Sequence, residues 1–175
     1  FVHNNKSFGY KDYTLITELL SKTSFPKLKS FEYGIDYLLA NEETVSPNLG
    51  DLTLVLENMP QLENLEITGF FELHKTLNLK KLKQFYFSDY TFDEINPVVS
   101  QTTIEYLTQC DFENLEEFEI ALTSEETAYI FNEKMFEIKL PHLHKVAVEG
   151  LFVTHTKNKL SQALHHLGER LNLKY

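Results

Sequence analysis

Met59-Pro60-Gln61-Leu62-Glu63-Asn64-Leu65-Glu66-Ile67 is the segment that settles the architecture. Leu65 and Ile67 are two residues apart, so they project from one face of a short strand, while Asn64 and Glu66 face the other way. Leu62, ahead of the strand, turns the chain into it and packs against the same core. A single unit of this kind cannot bury its apolar side alone, so neighbouring units must stack on it.

The same apolar-x-x-apolar-x-apolar pattern recurs in Leu28-Lys29-Ser30-Phe31-Glu32-Tyr33, Leu82-Lys83-Gln84-Phe85-Tyr86-Phe87, Leu115-Glu116-Glu117-Phe118-Glu119-Ile120 and Leu143-His144-Lys145-Val146-Ala147-Val148. Phe25-Pro26 and Leu140-Pro141 precede the first and last units as Met59-Pro60 precedes the second. Successive starts lie 34, 20, 33 and 28 residues apart, periods that straddle the leucine-rich-repeat range with two units stretched by insertions.

Helical periodicity fills the intervals. Tyr13 to Lys22 places Ile16, Leu19 and Leu20 on one side, with Asp12 or Thr14 able to cap the start. Asp51 to Asn58 carries Leu52, Val55 and Leu56, and Thr103 to Gln109 carries Ile104 and Leu107. Ser124 to Phe136 opens with an acidic turn suited to a helix N-terminus, and Lys157 to Arg170 offers Leu160, Ala163, Leu164 and Leu167. The expected order is helix then strand, repeated about five times. Gly69 to Leu79 is too short for a returning helix and reads as an extended or one-turn connection, while Asn41 to Gly50 reads as an inserted surface loop. The fold class expected is therefore α/β, a leucine-rich-repeat solenoid or horseshoe. About five parallel strands would line its concave side and helices its convex side, in a single domain over residues 1–175.

Residues Gly50 to Gly69 resemble a group of bacterial leucine-rich-repeat proteins, generally uncharacterised, some of whose relatives occur beside WGR domains. The likeness rests on an acidic residue and leucines in a helix (Asp51, Leu52, Leu54, Leu56), an apolar-Pro-x-Leu entry (Met59 to Leu62) and a strand ending in Gly69. Phe25-Pro26-Lys27-Leu28 through Gly34 fits the same frame, and a weaker match covers about residues 10 to 150. The chain departs from that group in placing Phe31, Phe85, Phe87 and Phe118 where leucine is usual, and in lacking the Asn common in the turn after the strand. The resemblance implies a curved array with strands inside and helices outside, and it carries over no catalytic residues.

Composition narrows the function classes. Of 175 residues 42% are hydrophobic, with 14 Phe and 9 Tyr, enough to build a core and too many for a disordered chain. Sixteen basic against 26 acidic residues give a net charge of -10, which repels phosphate, so neither nucleic acid nor an anionic membrane is an expected partner. No apolar run approaches the roughly 18 residues of a membrane-spanning helix. Cys110 is the only cysteine, so no intrachain disulfide can form and a cytoplasmic location is expected. The opening residues do not read as a signal peptide, and without an initial Met the chain reads equally as a piece of a longer one.

On the outward strand face the middle positions are Glu32, Glu66, Tyr86, Glu119 and Ala147. The preceding row is Ser30, Asn64, Gln84, Glu117 and Lys145, and the following row Gly34, Thr68, Ser88, Ala121 and Glu149. The candidate partner-binding set is Glu32, Asn64, Glu66, Gln84, Tyr86, Glu117 and Glu119, an acidic strip interrupted by one aromatic and suited to a basic protein partner. The bland reading is that these glutamates keep an exposed sheet soluble.

Catalytic signals are weak. His142-x-His144, His155 and His165-His166 lack the spacing of a zinc site. Cys110 has no nucleophile motif around it, the pairs Glu42-Glu43, Glu116-Glu117 and Glu125-Glu126 read as solvated turns and helix starts, and six scattered glycines form no phosphate-cradling loop. No cofactor is expected. A non-enzymatic recognition or scaffold module is the leading expectation. The substrate-recognition portion of a larger enzyme or effector is the alternative, and a self-associating array the third.

Overall fold

One turn, used five times, delivers the chain into a parallel sheet. The backbone N–H of Leu28, Leu62, Leu82, Leu115 and Leu143 bonds the carbonyl three residues earlier, on Phe25, Met59, Leu79, Phe112 and Leu140, at 2.9–3.2 Å. Pro26, Pro60 and Pro141 occupy the second place of three of these turns, where a pre-set φ favours the bend. Lys80 and Glu113 take that place in the other two, so the turn survives without proline.

The computed structural model describes residues 12–34, 47–89, 99–122, 129–130, 140–150, 162 and 165. Along the chain these form α1 (Thr14–Ser21), β1 (Ser30–Gly34), β2 (Asn48–Asp51), α2 (Thr53–Glu57), β3 (Asn64–Thr68), β4 (Phe70–Glu72), β5 (Gln84–Ser88), α3 (Gln101–Thr108), β6 (Glu117–Ala121) and β7 (Lys145–Glu149). The five strands that carry the repeated pattern make one sheet in the order β1-β3-β5-β6-β7, all parallel. The molecule is thus mixed α/β, with a five-stranded parallel sheet.

Register follows from the residue ahead of each strand. The carbonyls of Lys29, Glu63, Lys83 and Glu116 each accept two consecutive N–H groups from the start of the next strand, at 2.7–3.2 Å. Each strand therefore begins level with its neighbour, and the inward columns run straight: Phe31, Leu65, Phe85, Phe118, Val146, and beside it Tyr33, Ile67, Phe87, Ile120, Val148. Leu65, Phe85 and Phe118 are buried together in one core cluster, with Phe85 stacked on Phe118 at 5.4 Å between ring centroids. Phe71 closes edge-on against Phe87 at 5.0 Å. The entry residues Leu62, Leu82, Leu115 and Leu143 are buried in the same cluster.

Helix starts use short polar side chains. The N–H of Thr14 donates to Asp12 Oδ1 at 3.0 Å, that of Thr53 to Asp51 Oδ1 at 2.9 Å, and that of Thr103 to Ser100 Oγ at 3.1 Å, each satisfying an otherwise orphaned donor. Helices α2 and α3 bury the apolar side expected of them, Leu52, Val55 and Leu56 in one case and Ile104 and Leu107 in the other.

Three expectations are corrected. Asn48 to Gly50 is not loop: it belongs to β2, which pairs in parallel with β4, and Leu49 is fully buried. Of the apolar side expected of helix α1, only Leu20 packs against the core. The buried residue of the helix is Thr17, whose hydroxyl donates to the Leu49 carbonyl at 2.5 Å and shares a 2.8 Å hydrogen bond with Tyr33 Oη, while Leu15, Ile16 and Leu19 face out. Tyr129 and Ile130, the described part of the helix expected over Ser124 to Phe136, are not helical, and the Ile130 N–H bonds Gln101 Oε1 at 2.9 Å. Between β3 and β5 the chain carries the short strand β4, the extended connection expected of Gly69 to Leu79. Gln162 and His165 are helical and exposed, but the rest of Lys157 to Arg170 lies outside the described residues.

Gly69 marks where the two sheets meet. Its φ is +136°, and a Cβ there would come 2.7 Å from the Pro47 carbonyl oxygen, the same oxygen that accepts the Phe70 N–H.

Phe85 and Phe118 sit at the centre of the stacked column. Phe118→Ala should lower unfolding free energy by about 3–5 kcal/mol in urea titrations, and Glu32→Ala by less than about 0.5 kcal/mol.

Candidate interaction face on the parallel sheet

Because each strand alternates, the residues between the buried pairs share the opposite face of the sheet. The straight register sets Glu32, Glu66, Tyr86, Glu119 and Ala147 side by side in one row, and Ser30, Asn64, Gln84, Glu117 and Lys145 in the row before it. A depression of about 330 Å³ opens on this face, and Glu32, Asn64, Glu66, Gln84, Tyr86, Glu117 and Glu119 all line it, together with Ser30 and the backbone level of Phe31, Leu65 and Phe85. The third expected row is not a continuous outer surface, since Ser88 is buried.

The strip carries its own cation. Lys145 Nζ lies 2.5 Å from Glu119 Oε1 and 3.5 Å from Glu117 Oε2, and these contacts raise the lysine's pKa, the hydrogen bond to Glu119 most. Gln84 Nε2 donates to Glu117 Oε1 at 3.0 Å, and His144 Nε2 stands 4.0 Å from the same oxygen. Glu117 and Glu119 are accordingly half-buried and held in place, whereas Tyr86 keeps 36% of its surface exposed between Glu66 and Glu119. An aromatic ring between two carboxylates at one level is an arrangement that attracts a cation.

A second set of charges escaped the sequence reading. The residues just ahead of the strands alternate in sign across the sheet as Lys29, Glu63, Lys83 and Glu116, ending at His144. Glu63 bridges its neighbours, with Oε1 2.5 Å from Lys29 Nζ and Oε2 3.0 Å from Lys83 Nζ. Hydrogen bonds from Lys29 and then Lys83 hold the Glu63 carboxyl down to about 2, from an ordinary 4.5. The signal was present in the aligned units, one place after each entry leucine, but charge there does not alter the apolar pattern that defines a unit.

His74 was likewise missed. Its Nε2 is 3.1 Å from Glu72 Oε2 and its Nδ1 3.6 Å from Asp51 Oδ2, on an exposed surface at the ends of β4 and β2. His142 and His144 are exposed, His155 and His166 lie outside the described residues, and among the described residues no group of three or more His, Cys, Asp or Glu is placed to hold a metal ion. Cys110 is buried, its Sγ accepting the Leu77 N–H and donating to the Tyr106 carbonyl, both at 3.3 Å. Burial pushes its thiol up to about 11, which disfavours the nucleophilic thiolate. Among the described residues no helix is long and apolar enough to cross a membrane.

Comparison with protein-family models, with curated proteins and with solved structures finds no match to the chain.

The depressed Glu63 carboxyl gives a pH signature. A carboxylate whose folded pKa lies below its unfolded one contributes stability that is present above about 4.5 and is lost as pH falls toward about 2. An NMR titration of the Glu63 carboxyl should show a midpoint near 2, and the Lys29→Gln, Lys83→Gln double variant should return it toward 4.5.

Proposed function

We propose that the chain is a leucine-rich-repeat solenoid of the bacterial type its sequence resembles, acting in the cytoplasm as a non-enzymatic recognition or scaffold module. Its ligand is a protein partner carrying a basic segment, bound on the outward face of the parallel sheet. One observation carries this reading: eight outward side chains from β1, β3, β5 and β6, four of them glutamates and one an exposed tyrosine, line one depression. The repeated entry turn and straight register support the solenoid, since every unit stacks on the next in the same way. Five strands at about 4.8 Å spacing offer a face on the order of 20 Å across, room for an extended segment of several residues.

Tyr86 supplies the anchor, because an aromatic ring gives a large contact area at little entropic cost. The glutamates supply attraction and orientation more than raw affinity. Such contacts at an exposed face weaken as salt screens them.

The test is a pulldown from the native host followed by replacement of Glu66, Tyr86 and Glu119 together with Gln, Ala and Gln. Affinity for the captured partner should fall at least about tenfold, near 1.4 kcal/mol, and added salt should weaken binding of the wild type more than that of the variant. Unchanged binding by the triple variant rejects the strip as the contact surface.

A further inference from the structure

Building on the reading of the acidic strip as a site for a basic segment, we propose that Lys145 is a built-in competitor for that segment. In the free protein its ammonium group holds the β6 end of the strip, and a lysine side chain of the partner takes that place on binding. Lys145 Nζ lies 2.5 Å from Glu119 Oε1 and 3.5 Å from Glu117 Oε2, so these two carboxylates already accept one ammonium group. The seat is ordered before a ligand arrives: Glu117 Oε1 accepts a 3.0 Å hydrogen bond from Gln84 Nε2, and both glutamates are half-buried. Both also line the depression, and Tyr86 stands beside Glu119 in the same row.

Register brings the lysine to this place. Strand β7 sets Lys145 opposite Glu117 and the short Ala147 opposite Glu119, which leaves Glu119 to the longer side chain reaching across diagonally. Lys145 comes from the β7 side and does not itself line the depression, whereas a cation lying over Tyr86 meets the same carboxylates from the β5 side. Its side chain is 53% exposed, so the ammonium group can swing into solvent without uncovering the core. A contact this exposed contributes little to folding. It still opposes a ligand, because a seat open only part of the time binds with its affinity reduced by that fraction. Glu66 is three strands away on β3, about 14 Å, beyond the reach of the lysine stem. The competition is therefore confined to one end of the strip.

Calorimetric titration of the full chain with tetralysine at low salt tests this. Lys145→Gln should bind the peptide about fivefold more tightly than the wild type. Lys22→Gln, which changes the net charge equally but on α1, should stay within about twofold of the wild type. The gain from Lys145→Gln should vanish in a Glu119→Gln background and persist in a Glu66→Gln background, which a general charge effect would not produce. Circular dichroism melts of Lys145→Gln should match the wild type, separating a freed seat from a loosened sheet. If tetralysine binds the wild type and Lys145→Gln binds it no more tightly than Lys22→Gln does, the competitor is overturned while the basic-segment reading stands. If neither the wild type nor Lys145→Gln binds tetralysine, that reading fails and the competitor falls with it.

Discussion

The carbonyl of the residue just ahead of each strand accepts two N–H groups from the next unit, and the rest of the structure is arranged around that contact. It places Lys29, Glu63, Lys83 and Glu116 at one level and starts every strand in step with its neighbour. A slip of one residue would turn Leu65 and Ile67 to solvent and Asn64 and Glu66 to the core, so the apolar pairs and the backbone contacts enforce the same register. The entry turn makes the contact repeatable, because it brings each chain segment up at the same angle whether or not a proline occupies its second position.

Aromatic residues take the place of leucine in the column that results. Phe85 and Phe118 stack, Phe112 meets Phe118 edge-on at 6.1 Å, and Phe71 reaches Phe87 from the second, two-stranded sheet. Rings of this size pair by geometry as well as by burial. The same column is less enclosed at its two ends: Phe31 and Tyr33 on β1, and Val146 and Val148 on β7, are only half-buried. That gradient follows the order of the sheet, since among the described residues β3, β5 and β6 are each flanked by two strands and β1 and β7 by one.

The outward face inherits its order from the inward one. Once the columns are straight, Glu66, Tyr86 and Glu119 must lie side by side, and their chemistry is a consequence of register rather than of local sequence. Lys145 then moderates the acidic strip from within by pairing with Glu117 and Glu119. The alternating row one position earlier, centred on Glu63, is internally matched in the same way. Charge on this sheet is therefore organised across strands, where residues distant along the chain become neighbours.

Periodicity in the chain was enough to locate the five strands, the inward pairs from Phe31 to Val148, the helices α1, α2 and α3, and the outward rows, because each depends on spacings of two or of three and four residues. It was also enough to bring together the residues that line the depression, since parallel register follows from equal units. What it could not supply was the direction in which an apolar stripe points. Ile16 and Leu19 mark a face on α1, yet the core lies on the other side, reached through a threonine hydroxyl whose partners on Leu49 and Tyr33 are far along the chain. Asn48 to Asp51 looked like loop because its glycine and short polar residues signal a turn, and only pairing with Phe70 to Glu72 makes it a strand. Lys145 was a member of a row until folding brought its ammonium group onto two glutamates. In each case the deciding contact joins units that the chain itself holds tens of residues apart, and no local pattern encodes which of several neighbours will be there.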